Sequence, residues 1–259
     1  MSAFIPSCSR VNNNIVFVTT DSSDYISLIP IDTIDNVGYR LFRVELADSL
    51  LLISNDSKDK QLCIYNTRSG ESVFRFNTGR GPGEMLSLYD LSVSSDRTVA
   101  LVDVTMNNIS LFSLDSLIEE SFQGSSQTVI DLEGKTIINT ICFKGDELYG
   151  TGNVDGARIF KLNYDGTNTP IANYSPDMKN GGLDRFINEA YMGKITYDPS
   201  HDAFVIACLH ADQIEIYDCK TGEVIFIKGP DNEEPRYKVV ADLTGLGEGT
   251  HDVDLIATD

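Results

Sequence analysis

The chain has no tryptophan, three histidines and eight prolines in 259 residues, and its 20 lysines and arginines face 39 aspartates and glutamates. Each shortage excludes something. A formal charge of −19 makes a field that repels phosphate backbones and anionic headgroups, so nucleic acid is not an expected partner. The acidic residues are scattered and not gathered in a tail, which reads as a solvated surface. No apolar run approaches the ~18 residues of a membrane-crossing helix. The chain holds no HExxH, GxSxG or EF-hand pattern, and His201, His210 and His251 have no spacing that suggests a metal or triad site. His201, inside "DPSHD", reads as a turn residue, and no cofactor or metal is expected. The five cysteines form no CxxC; Cys63, Cys142, Cys208 and Cys219 sit in apolar runs and read as buried core thiols.

Helical periodicity is also scarce. Short runs rich in Val, Ile, Phe and Tyr recur every eight to twelve residues between Gly, Asn, Asp and Ser clusters, which is all-β spacing. Strands are expected at 48–56, 60–67, 71–78, 98–105, 108–115, 202–210, 213–220 and 223–229. A short helix is expected within "GGLDRFINEAYMGK", 181–194. "QLCIYNTRSGESVFRF" from Gln61 and "QIEIYDCKTGEVIFIK" from Gln213 share a strand–turn–strand pattern, with weaker copies at 108–122 and 158–174. A unit of roughly 50 residues falls in the range of propeller blades. Four antiparallel strands cannot cover their own faces, and stacking blades in a ring buries those faces while leaving short edges. The expected fold is therefore an all-β propeller of four-stranded antiparallel blades, five or a truncated six in number. Ile64, Leu111, Phe160 and Ile216 are its expected core residues between blades.

The stretch "NTGRGPGEML", 77–86, looks like a phosphate loop, yet it lacks the Lys-Ser/Thr ending of a P-loop and the spacing of a Rossmann turn. It reads as the corner between the blade at about 40–78 and the next, with Gly79, Gly81 and Gly83 able to take positive φ and Pro82 stiffening the bend. Arg80 is the candidate binding residue. Its guanidinium is expected either to brace the corner against Glu84 or to meet a partner's acidic group, the brace being preferred. At the start, "MSAFIPSCSR" resembles the tail of a bacterial lipoprotein signal, with Ile5 and Ser7 fitting the pattern before Cys8, the candidate lipidation site. Pro6 fits it less well, and no basic n-region or apolar h-region precedes it. The alternative is an ordinary N-terminus with an unremarkable cysteine. Residues 1–12 are thus read as signal remnant and tether, and 13–259 as one propeller domain. Its C-terminal part, 236–259, is atypical, with two candidate strands around "GLGEG".

"GRGPGE" followed by "LSLYDLSVSSDRTVALVDVTMNNISLFSLDSL", and later "ITYDPSHDAFVIACLHADQIEIYDCKTGEVI", resembles the TolB-like six-bladed propellers of bacterial lipoproteins, relatives of NHL-type propellers, over about residues 37 to 231. The resemblance implies a secreted propeller in the periplasm or at the outer membrane, anchored only through lipid on Cys8. Two functions remain open. One is a binding or scaffolding propeller, monomeric, holding a protein, peptide or glycan on a loop face. The other is a hydrolase or lyase with carboxylates or calcium in the central channel, for which Asp90, Asp103, Glu147 and Asp202 are the positions of interest. The first is favoured, because the chain lacks every linear catalytic motif sought.

Overall fold

A computed structural model describes residues 11–12, 15–17, 41–55, 60–124, 128–132, 137–154, 156–175, 178, 187–229, 237–239 and 253–255. The elements begin with β1 (Val11–Asn12) and β2 (Ile15–Phe17). Then β3 (Leu41–Ala47), β4 (Leu50–Asn55), β5 (Leu62–Asn66) and β6 (Ser72–Arg75) pair in order as an antiparallel sheet. The short parallel pair β7 (Asn77–Thr78) and β8 (Glu84–Met85) follows. A second four-stranded sheet holds β9 (Leu88–Val93), β10 (Thr98–Asp103), β11 (Asn108–Ser113) and β12 (Thr128–Asp131), with helix α1 (Leu114–Ile118) after β11. A third holds β13 (Ile137–Lys144), β14 (Glu147–Asn153), β15 (Ala157–Leu162) and β16 (Asn168–Asn173). After α2 (Ile187–Ala190), a fourth holds β17 (Gly193–Asp198), β18 (Ala203–Cys208), β19 (Gln213–Asp218) and β20 (Val224–Lys228). β2 adds to β20 in parallel and β1 to β2. β21 (Tyr237–Val239) pairs with β22 (Val253–Leu255), so both strands expected near the end are present.

These are the four-stranded antiparallel blades of a β-propeller. Four stand among the described residues, where five or six were expected. The chain divides into two compact units, Tyr25–Asn173 with the first three blades, and Met1–Asp24 together with Tyr174–Asp259 with the fourth.

In the larger unit the period of two decides the packing. Successive side chains of a strand point to opposite faces, so Val99 and Leu101 of β10 join the core shared with the first blade, beside Leu52, Leu62 and Ile64. Ala100 and Val102 join the core shared with the third, beside Ile141, Leu148 and Phe160. Each such valine, leucine, isoleucine or phenylalanine side chain contributes about 1.5–3 kcal/mol when fully buried. Asp90 locks the three blades together through their first strands: its Oδ1 accepts the Arg43 Nε–H at 3.0 Å and its Oδ2 accepts the Ile141 N–H at 2.7 Å. The Arg43 guanidinium also lies over the Tyr89 ring, 5.7 Å from its centre. The first blade's other face keeps Val44, Leu46 and Phe74 exposed.

Three expectations need correction. Ile64, Leu111 and Phe160 are core residues, but Ile216 is only half-buried, because β19 buries Gln213 and Glu215 and turns its isoleucines outward. Glu215 is tolerated inside because its Oε1 accepts from Gln213 Nε2 and from Cys208 Sγ, both at 3.3 Å. The repeat at 108–122 is not strand–turn–strand: α1 follows β11, since Leu114 and Leu117 bury one helical face, and Arg75 donates to the Leu117 carbonyl at 2.7 Å and the Glu119 carbonyl at 2.8 Å. Of the four core thiols, Cys63 and Cys142 are buried, while Cys208 and Cys219 are half-buried, and none of the four is in a disulfide. The helix expected within 181–194 is α2.

Candidate functional site

The corner at 77–86 is closed by Glu84. Its Oε2 accepts the Gly81 N–H at 2.7 Å, its own N–H donates to the Gly81 carbonyl at 3.0 Å, and the Gly79 N–H donates to the Met85 carbonyl at 3.1 Å. Only Gly83, at φ +73°, uses the left-handed region; Gly79 and Gly81 do not, contrary to expectation. Gly79 is small for another reason, since a Cβ there would stand 2.0 Å from Glu84 Oε2. Gly83 meets Gly124, at φ +82°, backbone to backbone, and a Cβ on Gly124 would lie 2.2 Å from the Gly83 Cα. The preferred Arg80–Glu84 brace does not form. Glu84 turns to backbone N–H instead, and Arg80 is exposed, with no hydrogen bond or ion pair among the described residues.

Between this corner and the outer strands of the second blade lies a cleft of about 180 Å³. Its apolar lining includes Phe76, Met85, Met106, Phe112 and Val129. The alternation of β11 brings Asn108, Ser110 and Phe112 to the same face, and the Gly81–Gly83 backbone forms the opposite wall. Beneath it, Phe76, Phe112 and Phe122 pack as a trio with centroids 5.1–5.9 Å apart, Phe76 edge-on to Phe122. Phe76 holds φ at +61°, a conformation rare for a bulky residue and one that persists only where the surroundings impose it. Here the ring is held in the trio and its carbonyl accepts the Gln61 N–H at 2.9 Å.

Asp103 also borders the cleft and is wholly committed. Oδ2 accepts from Leu86 N at 2.6 Å, and Oδ1 from Ser87, Thr105 and Met106 N at 3.3, 3.0 and 2.9 Å. The Asn108 side chain, the Ser110 hydroxyl and Glu84 Oε1 have no protein partner among the described residues.

The other positions of interest each serve a structural bond in their own blade or at its border. Asp90 is the interblade lock. Glu147 accepts from Lys161 and from the Tyr149 hydroxyl, and these bonds hold its carboxyl below the usual range. Asp202 sits in a turn at φ +53° and accepts the Tyr197 hydroxyl at 2.9 Å. His201 lies in the β17–β18 turn, where its Nδ1 is 2.6 Å from Asp198 Oδ2 and 2.9 Å from Ser200 Oγ. One ring nitrogen meets both groups, so no base-and-orienter relay exists, and the Ser200 and His201 bonds lower Asp198 to about 2. Among the described residues, no three His, Cys, Asp or Glu side chains group in a way that could hold a metal ion. Cys8 lies outside the described residues. Sequence reasoning missed Glu84 Oε1, Asn108, Ser110 and Met106 as a group; the usable signal was a polar pair alternating with Phe112 on a strand face that should be apolar.

Residues 10–123, under half of the chain, match the family model DUF5128, described as a 6-bladed beta-propeller. No curated protein matches the chain. Among solved structures, it is similar to a member of the DUF4221 family from Bacteroides vulgatus, at 12% identity and TM-score 0.52 over 73% of this chain and 57% of that one. A nidogen/laminin complex matches at 16% identity and TM-score 0.53, over 75% and 66%. A catalytically inactive virginiamycin B lyase from Staphylococcus aureus with quinupristin matches at 16% and 0.50, over 78% and 60%. The chain thus spans 57% to 66% of the length of these structures, and the likeness is one of fold.

Proposed function

We propose that this chain is a non-catalytic binding propeller of the bacterial cell envelope, akin to the TolB-like and NHL-like propellers, with its ligand seated in the cleft beside the 77–86 corner. The observation that carries this reading is a division of labour among polar groups. Asp90, Asp103, Glu147 and Asp202 each accept structural hydrogen bonds, whereas Asn108, Ser110 and Glu84 line the cleft with side-chain atoms that have no partner among the described residues. Convergent polar groups above an apolar floor are the usual form of a binding site. The ligand is a protein, peptide or glycan, and exposed Arg80 at the corner serves a partner's carboxylate, which a guanidinium binds in a bidentate way. Asp90, Asp103, Glu147 and Asp202, the carboxylates considered for a hydrolase or lyase, are each engaged in structural hydrogen bonds.

Thermal shift against a panel of envelope peptides and oligosaccharides tests this. A ligand at 100 times its Kd adds about 2.7 kcal/mol to stability. The expected result is a raised Tm that Ser110→Phe abolishes without changing the Tm of the free protein. Consumption of a panel compound with release of product would overturn the reading.

Attachment is proposed through lipid on Cys8, placing the protein in the periplasm or at the outer membrane. Two or more acyl chains hold a protein to a membrane far more firmly than one. In cells fed a labelled fatty acid, the full-length protein should carry label and sediment with membranes, and Cys8→Ser should release it. Unlabelled protein in the soluble fraction would end this part of the proposal.

A further inference from the structure

Resting on the reading of the cleft as a binding site, we propose that its occupant is a basic side chain, lysine foremost, presented by a protein partner. Size limits the choice first. Clefts for cofactors and drug-sized ligands run from about 300 to 1,000 Å³, and this one is about 180 Å³, enough for one side chain or one sugar ring. Charge decides between them. Among the described residues, the lining contains Glu84 and Asp103 and no lysine, arginine or histidine. Asp103 spends its oxygens on four backbone N–H groups, but Glu84 uses only Oε2, on Gly81, and its Oε1 has no partner among the described residues. Arg80, the nearest cation in sequence, is not part of the lining.

An anionic group would meet an uncompensated carboxylate. A neutral sugar could use the Asn108 amide and the Ser110 hydroxyl but would leave that carboxylate unpaired. A lysine side chain uses everything present. Its methylene stem lies along apolar surface while its head stays polar, and Met85, Met106 and Phe112 supply adaptable apolar contact. The three ammonium hydrogens have Glu84 Oε1, Ser110 Oγ and Asn108 Oδ1 as acceptors. The net charge of −19 then steers a basic partner inward and raises its association rate at low salt.

The test is an amide NMR titration of the whole chain with Nα-acetyl-lysine N-methylamide, its neutral norleucine analogue, and N-acetylglucosamine. The lysine probe should shift the amides of Gly81, Met106 and Ser110, and the norleucine analogue should not. Glu84→Gln keeps an oxygen for the Gly81 N–H and removes the charge, so it should weaken lysine binding about tenfold with the remaining spectrum unchanged. Ser110→Ala should weaken it less, and gives a second reading should the Glu84 variant fail to fold. Shifts with the sugar but not with lysine would sink this inference while leaving the cleft a binding site. Equal binding of lysine and norleucine would sink it too. The absence of shifts with lysine overturns it outright, whereas failure of the binding reading itself appears as a panel ligand being turned over.

Discussion

At the scale of single residues, backbone conformation and burial separate substitutions that the sequence makes look alike. The corner's glycines are not equivalent. Gly124→Ala would put a Cβ 2.2 Å from the Gly83 Cα, backbone that cannot swing away, and would do so at φ +82°. It should cost about 1–3 kcal/mol, the scale of a strained backbone residue. Gly81→Ala meets only the Glu84 side chain, at ordinary φ, and should cost well under half of that. Thermal melts of the two variants side by side check the order. Glu189 gives a pH prediction. Its Oε2 is buried with no hydrogen-bond partner among the described residues, and burial raises its pKa above the usual glutamate value of 4.5. A carboxyl whose folded pKa is raised supports folding below its unfolded value, and that support is lost as pH rises through the folded one. Glu189→Gln should therefore raise Tm at pH 7, with the gain gone by about pH 4. Calorimetry at the two pH values decides it, and a gain that persists at pH 4 would contradict the burial argument.

At the scale of elements, most of the architecture was legible because β4, β5, β10, β11 and β15 carry apolar residues on the faces that blades stack. "TVALVD" is apolar on both faces, and both faces of β10 are covered. β19 was misread because its sequence shows isoleucines where the structure buries Gln213 and Glu215; hydrogen bonds to Gln213 and Cys208 let the carboxylate lie inside. α1 was missed because a five-residue helix shows a single i, i+3 apolar pair, Leu114 and Leu117, and the Arg75 bond that closes its last turn comes from 42 residues away. The cleft was illegible as a site because its walls come from the corner, from the β10–β11 region and from Gly124, stretches joined only by folding. One comparison tests this account of the blades. Phe160→Ala, at a fully buried ring, should cost about 3–5 kcal/mol, near the top of the range for core truncations. Ile216→Ala, half-buried on an open face, should cost about 1 kcal/mol or less. Equal losses in urea denaturation would mean that the two faces of β19 have been assigned the wrong way round.

For the whole molecule, the excess of acidic groups and the placement of the cleft point to one kind of encounter. A chain at −19 repels anions generally, while an open carboxylate over an apolar floor favours a basic group locally. Salt should therefore weaken partner association, chiefly by slowing the on-rate. The chain is proposed to work by binding at the cleft between the corner and the second blade. Hydrogen–deuterium exchange of the full chain with and without a bound envelope ligand distinguishes this site from the rest of the molecule. Added protection is expected in 79–86 and 103–112, and should be lost in Ser110→Phe. Protection confined to the blade of β17–β20, with 79–86 and 103–112 unchanged, would contradict the proposal.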